Sequence, residues 1–118
     1  MKYKDGTILI VDDEMGGRIG EHVQEQLGRH VICYESGREA IDAVENDMAY
    51  SLAFVDLSLP DIGGDEVINV SKRKNPNTPV VCISRYDYLP KGANETLIKP
   101  FWPSDIERII NRYLPTKS

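Results

Sequence analysis

Cysteine is scarce in this sequence, which contains two among its 118 residues. Cys33 and Cys82 each lie in a short apolar run, where a free, buried thiol is the usual state. Two separated thiols without a nearby histidine cluster do not make a zinc site. A chain of this length buries a sufficient core without disulfides or a structural metal, so one compact domain over residues 1–118 is expected.

Long hydrophobic runs and an excess of basic residues are also lacking. No apolar stretch approaches the roughly 18 residues that a membrane span needs. The N-terminal segment MKYKDG leads into the first predicted strand too soon for a signal peptide. The net charge is −5, whereas nonspecific binding to nucleic acid requires a basic surface. We therefore expect a cytoplasmic protein with no direct nucleic-acid or membrane partner.

The sequence does contain an alternation of apolar runs and helical patterns. Uninterrupted runs such as residues 8–11 are typical of strands buried on both faces of a parallel sheet. Apolar residues spaced by three and four predict helices, and Ser104 with Glu107 has the spacing of a capping box at the last one. This alternation predicts an α/β fold with a doubly wound parallel sheet and helices on both faces. The predicted strands are 7–11, 30–34, 51–56, 79–83 and 95–98, and the first three predicted helices are 15–28, 37–48 and 65–74.

Polar side chains stand at the ends of four predicted strands. Asp12 and Asp13 follow the first, Asp56 ends the third, Ser84 follows the fourth and Lys99 follows the fifth. The carboxyl ends of the strands share one edge of such a sheet, so these side chains are expected to converge. Two carboxylates about 4 Å apart repel by on the order of 4 kcal/mol at an effective dielectric of 20, and a bound cation would offset this. Oxygen ligands without Cys or His suit a hard cation such as Mg²⁺.

Each of these residues alone has a simpler interpretation. An aspartate after a strand commonly caps a helix or forms a turn, and Ser84 alone is typical of a turn hydroxyl. Lys99 alone is typical of a solvated surface cation. Their coincidence at the ends of the first, third, fourth and fifth predicted strands is what favours a functional site.

Along essentially its whole length the sequence resembles the receiver domain of two-component response regulators. The similar stretches are ILIVDDE, SGREAIDAV, FVDLSLPDIGGDEV, PVVCIS and LIKPF. The resemblance implies the flavodoxin-like fold, a five-stranded parallel sheet with strand order 2-1-3-4-5. It also implies that the chain is not an enzyme with a separate substrate and promotes only its own phosphorylation and dephosphorylation.

The resemblance assigns a role to each acid. Asp56 would be the phosphoacceptor, which attacks a phosphoryl group and forms an aspartyl phosphate. Asp13 and, partly through water, Asp12 would hold Mg²⁺ together with Asp56 and the backbone carbonyl of Ser58. A carboxylate nucleophile that meets an anionic phosphoryl group needs such positive charge nearby.

Other family positions are matched as well. Lys99 would pair with Asp56 at rest and with the phosphoryl oxygens afterwards, and Ser84 would hydrogen-bond one of those oxygens. Gly64 occupies a turn position at which a positive φ is expected. The bond between Lys99 and Pro100 resembles one that is cis in the family, although sequence alone makes a cis bond uncommon.

The chain departs from the family between the fourth and fifth strands. If 95–98 is the fifth strand, only residues 85–94 separate it from the fourth, and they contain Pro90 and Gly92. Ten residues with both helix breakers form one helical turn at most. The fourth helix of the family is therefore predicted to be missing or vestigial.

Two substitutions beside this segment bear on signalling. Thr96 stands where the family commonly has Tyr or Phe. In the family, phosphorylation draws the hydroxyl at the position of Ser84 inward, and that aromatic ring follows it. Two hypotheses stay open: Tyr86 or Tyr88 replaces that ring, or the altered loop is read directly. Arg85 stands where a small residue is common, and it either screens the phosphoryl group or points to solvent. An exposed apolar patch left by the missing helix would favour a homodimer or partner contact through residues 85–98.

The expected phosphoryl donor is a histidine kinase or a histidine phosphotransfer protein, and the expected reader is a downstream protein target or a fused output domain. The chain is then either a stand-alone receiver or part of a longer protein. One alternative is a receiver-like interaction module that works without phosphorylation. A second is a Mg²⁺-dependent phosphohydrolase, although such enzymes usually have a further acid where this chain has Ser58.

Overall fold

A parallel sheet flanked by helices forms the core of the computed structural model, which describes residues 6–14 and 16–115. The predicted helix start at Met15 and the N-terminal segment 1–5 lie outside the described residues. The strands are β1 (Ile8–Val11), β2 (Val31–Tyr34), β3 (Leu52–Asp56), β4 (Val80–Ser84) and β5 (Glu95–Ile98); the helices are α1 (Gly16–Leu27), α2 (Gly37–Glu45), α3 (Gly64–Lys74) and α4 (Pro103–Tyr113).

The strand order is β2-β1-β3-β4-β5 with every neighbouring pair parallel, which confirms the predicted fold. Strands β1, β3 and β4 are buried along their whole length because helices cover both faces of the sheet. The register sets Val11 of β1 beside Val55 of β3. The residues that follow these two valines therefore emerge side by side at the carboxyl edge.

Alternating side chains of the strands build two apolar layers. In β1, Ile8 and Ile10 pack with α1 and α4, whereas Leu9 and Val11 pack with α2 and α3. Each fully buried aliphatic side chain contributes about 1.5–3 kcal/mol relative to an exposed one. Within the described part of the chain, none of the helices has the length and apolar character needed to span a bilayer.

No helix lies between β4 and β5, where residues 85–94 are all described. This confirms the predicted loss of the family's fourth helix. Hydrogen bonds fix the segment instead: the Asn94 N–H donates to the Val80 carbonyl (2.7 Å), and the Val80 N–H donates to Asn94 Oδ1 (2.9 Å). Pro90 is buried, and Gly92, at a φ of 94°, packs against side chains of α3. A β-carbon at that glycine would be both strained and crowded.

The predicted capping box of the last helix is wrong. Helix α4 begins at Pro103, so Ser104 and Glu107 lie inside it. The cap is formed two residues earlier, where the Trp102 N–H donates to the carboxylate of Asp105 (2.8 Å). Proline suits the first helical position because it has no N–H that needs a partner there.

Two smaller expectations also need correction. Helix α2 ends at Glu45 rather than at residue 48, because the Asn46 side chain donates to a carbonyl of the preceding turn (2.7 Å) and Asp47 takes a positive φ of 67°. Cys82 is buried as expected, but Cys33 is exposed. Cys33 lies on the edge strand β2, which the helices cover only partly.

Candidate functional site

Asp56 ends β3 and is 1% exposed. Both oxygens of its carboxylate are bound: the Ser58 N–H donates to Oδ1 (2.7 Å), and the Lys99 ammonium donates to Oδ2 (2.8 Å). A buried carboxylate is costly unless it is paired and hydrogen-bonded. These two bonds compensate for the burial of the charge and fix the orientation of the group.

Asp12 and Asp13 follow β1 directly and meet Asp56 at the same edge of the sheet. Asp12 is buried, and its Oδ1 accepts the N–H of Glu14 (2.8 Å), whereas Asp13 is exposed. One carboxylate oxygen from each of the three aspartates lies within 4.8 Å of the others. The structure thus brings together the three acids that the sequence singled out.

The donor set of this cluster fits a hard divalent cation. Three carboxylates without Cys or His are the ligands that Mg²⁺ prefers in proteins. In the described part of the chain, no other group of three or more acidic, His or Cys side chains lies close enough together to share an ion. Ser58, whose carbonyl is the remaining predicted ligand, is held beside the cluster through its N–H bond to Asp56.

Lys99 reaches the site from the end of β5. Its N–H donates to the carbonyl of Ser84 (2.8 Å), and its bond to Pro100 is cis, as the resemblance implied. Its side chain is 11% exposed, and the ammonium contacts Glu14 (3.3 Å) as well as Asp56. Burial alone would lower the pKa of Lys99, but the hydrogen bond and charge of Asp56, aided by Glu14, raise that pKa above its ordinary value. The ammonium is therefore charged at neutral pH.

Ser84 ends β4, the neighbour of β3, and is buried. Its hydroxyl oxygen accepts the N–H of Tyr86 (3.0 Å). A hydroxyl that accepts a hydrogen bond keeps its own O–H for donation. Ser84 therefore stands at the carboxyl edge of the sheet, like Asp56, with a proton that it can donate to an anion.

Thr96 ties the altered segment 85–94 to the sheet. Its hydroxyl donates to the carbonyl of Tyr88 (2.5 Å) and lies 3.2 Å from the Cys82 thiol. Tyr86 and Tyr88 are 74% and 51% exposed, so neither ring is buried as a replacement for the family's aromatic side chain. The position that usually carries a mobile ring serves here as an anchor for the loop.

Exposed apolar side chains do occur in and beside this segment, as the missing helix led us to expect. Leu89, Ile98 and Trp102 are all exposed, in addition to the two tyrosines. Arg85 is exposed too, yet it lines a cavity next to Lys99. Homodimerisation through residues 85–98 stays a prediction.

Gly64 is required for a reason other than the predicted one. Its φ is not positive, and it is the first residue of α3. A β-carbon at this position would collide with the carbonyl oxygen of Asp56 and with the Cα of Leu57. The glycine lets the start of α3 approach the backbone that carries the buried carboxylate.

Two residues around the site were missed by the sequence reasoning. Glu14 shares the Lys99 ammonium, and Asp61 accepts the N–H groups of Gly37 and Arg38 at the start of α2 (2.9 Å each). Those backbone hydrogen bonds lower the pKa of Asp61. The place of Glu14 directly after the acid pair was a visible signal, whereas the contact of Asp61 joins segments more than 20 residues apart and had none.

The sequence matches the response regulator receiver domain family over residues 8–111. With this match, the five-stranded sheet and the acid cluster, the chain belongs to the receiver domain family of two-component signalling.

Individual relatives cover the chain almost completely. YkoG, an uncharacterized transcriptional regulatory protein of Bacillus subtilis, is 33% identical over 115 residues, which are 91% of this chain and 49% of YkoG. Sporulation initiation phosphotransferase F of the same organism is 30% identical over 119 residues, 94% of this chain and 95% of that protein. The receiver domain of the sensor histidine kinase PA1611 from Pseudomonas aeruginosa PAO1, solved with magnesium in its active-site cleft, has a TM-score of 0.81 at 21% identity and covers 96% of this chain and 100% of its own. This chain spans about half of YkoG and still less of some other relatives.

Proposed function

We propose that this chain is a phosphoacceptor module that takes a phosphoryl group on Asp56. The observation that carries the proposal is a buried carboxylate with an ammonium 2.8 Å away and two further carboxylates within 4.8 Å. Phosphoryl transfer depends mainly on positioning and on stabilisation of charge, with little covalent chemistry beyond the nucleophile. The rigid, paired carboxylate of Asp56 supports its role as that nucleophile.

Asp12, Asp13 and Asp56 would hold Mg²⁺, joined by the backbone carbonyl of Ser58. When bound, the ion supplies positive charge that offsets both the acids and the oxygens of an incoming phosphoryl group. The oxygen-only donor set supports this assignment. The magnesium in the cleft of the PA1611 receiver domain, whose fold this chain shares, supports it as well.

Lys99 and Ser84 would supply the other contacts of the phosphoryl group. Lys99 holds Asp56 at rest, and its ammonium would move to the phosphoryl oxygens once that carboxylate is esterified. The Ser84 O–H would donate to another of those oxygens. Because Ser84 also accepts the N–H of Tyr86, its movement would pull directly on residues 85–94. The signal would then be read from this loop and not from a buried ring.

The phosphoryl donor would be a histidine kinase or a histidine phosphotransfer protein in the cytoplasm. The likeness to sporulation initiation phosphotransferase F over nearly its whole length supports a role in phosphoryl transfer. The likeness to half of YkoG, a transcriptional regulatory protein, supports a reader in the form of a fused output domain or a separate protein target. The chain would promote only its own phosphorylation and dephosphorylation.

A second candidate function is a receiver-like module that binds partners without phosphorylation. The missing helix and the anchored Thr96 favour it, because both remove parts of the usual switch. This candidate predicts that the acid cluster has no Mg²⁺-dependent chemistry at Asp56.

Intact mass spectrometry separates the two functions. After incubation with acetyl phosphate and Mg²⁺, we expect one phosphoryl group per chain, and none when the metal is chelated. Asp56→Asn should abolish the addition, whereas Asp42→Asn, an exposed substitution on α2, should leave it unchanged. Lack of any addition to the unmodified protein would favour the second candidate.

A further inference from the structure

Glu14 stands at the entrance of the site and has no part in the function proposed above. Its carboxylate lies 3.3 Å from the Lys99 ammonium, and the same ammonium lies 2.8 Å from the carboxylate of Asp56. The Asp56 side chain is 2% exposed and the Glu14 side chain is 55% exposed. One ammonium is thus shared between an inner carboxylate that attacks and an outer carboxylate that faces solvent.

A cavity of about 330 Å³ with charge on its walls lies against Lys99. Glu14, Arg85 and Lys99 contribute the charged groups, and Pro100 and Phe101 contribute an apolar surface. The backbone of Glu14 is fixed beside the acid cluster by its N–H bond to Asp12 Oδ1 (2.8 Å). A phosphoryl donor that uses this cavity meets the Glu14 carboxylate at the moment when it needs the ammonium.

We propose that Glu14 is a specificity-determining residue that selects phosphoryl donors by the charge of their leaving group, favouring nitrogen-linked over acyl-linked phosphate. This role rests on the proposed function, since it concerns the same transfer to Asp56. Arg85, on the wall of the same cavity, carries the opposite charge and therefore favours acyl-linked phosphate.

The two donor classes differ in the charge of the leaving group that would face Glu14. Acetyl phosphate is a dianion at neutral pH. When it reacts, phosphorus forms a bond to an oxygen of Asp56. The P–O bond to the acetyl group breaks with its electron pair on that oxygen, and acetate leaves as an anion. In phosphoramidate the nitrogen already carries its proton, so the donor has a net charge near −1. The P–N bond breaks with its electron pair on nitrogen, which departs as neutral ammonia. A carboxylate at the entrance repels the first donor and stabilises the cationic nitrogen of the second.

The test compares second-order rate constants for phosphorylation by acetyl phosphate and by phosphoramidate, each with saturating Mg²⁺. Glu14 lies 3.3 Å from the ammonium that the donor must reach. Two unit charges about 4 Å apart in solvent interact strongly enough to change a rate about fivefold. Glu14→Gln should therefore raise the ratio of the acetyl phosphate to the phosphoramidate rate constant by about fivefold, and Arg85→Gln should lower it. Glu25→Gln, an exposed change on α1, is the matched control and should keep the ratio of the unmodified protein.

Salt dependence gives a further test. High salt screens the charges of both Glu14 and Arg85, so the ratio measured for Glu14→Gln should approach the ratio of the unmodified protein as ionic strength increases. If the unmodified protein is phosphorylated by both donors but the ratio is the same in Glu14→Gln, the role of Glu14 is refuted and the proposed function stands. If neither donor phosphorylates the unmodified protein, the proposed function itself fails and the role of Glu14 fails with it.

Discussion

Replacement of Asp13 by asparagine should make the metal-free protein more stable. One oxygen each of Asp12, Asp13 and Asp56 lies within 4.8 Å of the others, and Asp13 is the exposed member of the three. At that distance two unit charges repel by about 0.9 kcal/mol in a solvent of dielectric 80. Asp13→Asn relieves two such repulsions, and salt screening reduces the gain to roughly 1 kcal/mol. For a chain of this size that gain raises the Tm by about 4 °C.

Magnesium should reverse this order of stability. An ion at 100 times its dissociation constant stabilises the folded protein by about 2.7 kcal/mol. Loss of one ligand weakens affinity about tenfold or more, which leaves the variant with roughly 1.4 kcal/mol of stabilisation at the same concentration. The variant therefore loses about 1.3 kcal/mol of metal-dependent stability, which offsets its gain in the metal-free state.

Thermal or urea unfolding of both proteins, with chelator and across a Mg²⁺ titration, measures these quantities directly. The two stability curves should cross as the metal concentration increases. Asp42→Asn serves as the control, because it removes the same charge at an exposed position of α2 outside the cluster. An Asp13→Asn protein that gains as much from Mg²⁺ as the unmodified chain would refute the assignment of this aspartate as a ligand.

Three further substitutions test other contacts. Gly64→Ala sets a β-carbon against the carbonyl that ends β3 and should destabilise the fold by about 1–3 kcal/mol in urea unfolding; an unchanged midpoint would contradict the close approach. Thr96→Val removes the hydroxyl that binds the Tyr88 carbonyl and should cost about 1 kcal/mol, with faster amide exchange in residues 85–94; equal exchange would argue against the anchor. The pKa of Asp61 is lowered by its backbone hydrogen bonds, so its contribution is present above the unfolded pKa of about 3.9 and is lost as pH falls through the lower folded value. Asp61→Asn should therefore flatten the acid pH dependence of the unfolding free energy, and a variant that keeps the original slope would show that this contact is unimportant.

The fold was predictable because its signals are local and repeated. The apolar run of residues 8–11 had to be a buried strand, and the strand–helix alternation then fixed a parallel sheet with one carboxyl edge. That edge, together with the family resemblance, was enough to predict that Asp56 and Lys99 lie close together. The proline and glycine in residues 85–94 likewise predicted that the family's fourth helix is missing.

Side-chain direction and contacts between distant segments were not predictable in the same way. The position of Glu14 directly after the acid pair placed it near the site, but its long side chain can adopt several directions, and the sequence does not show that it turns toward Lys99. The cap of α4 was misjudged because two candidate motifs, 102–105 and 104–107, overlap by two residues, and only the bond from the Trp102 N–H to Asp105 decides between them. Gly64 was assigned to a turn for its backbone freedom, whereas the structure requires its lack of a side chain.

Chemical trapping of the phosphorylated residue tests the central assignment most directly. Borohydride reduces an aspartyl phosphate to homoserine, so treatment of the protein after incubation with a phosphoryl donor and Mg²⁺ marks the acceptor in a peptide map. We predict homoserine at residue 56, and at no other aspartate. Reduction at a different residue, or a phosphoryl group that borohydride does not remove, would contradict the assignment of Asp56 as the acceptor.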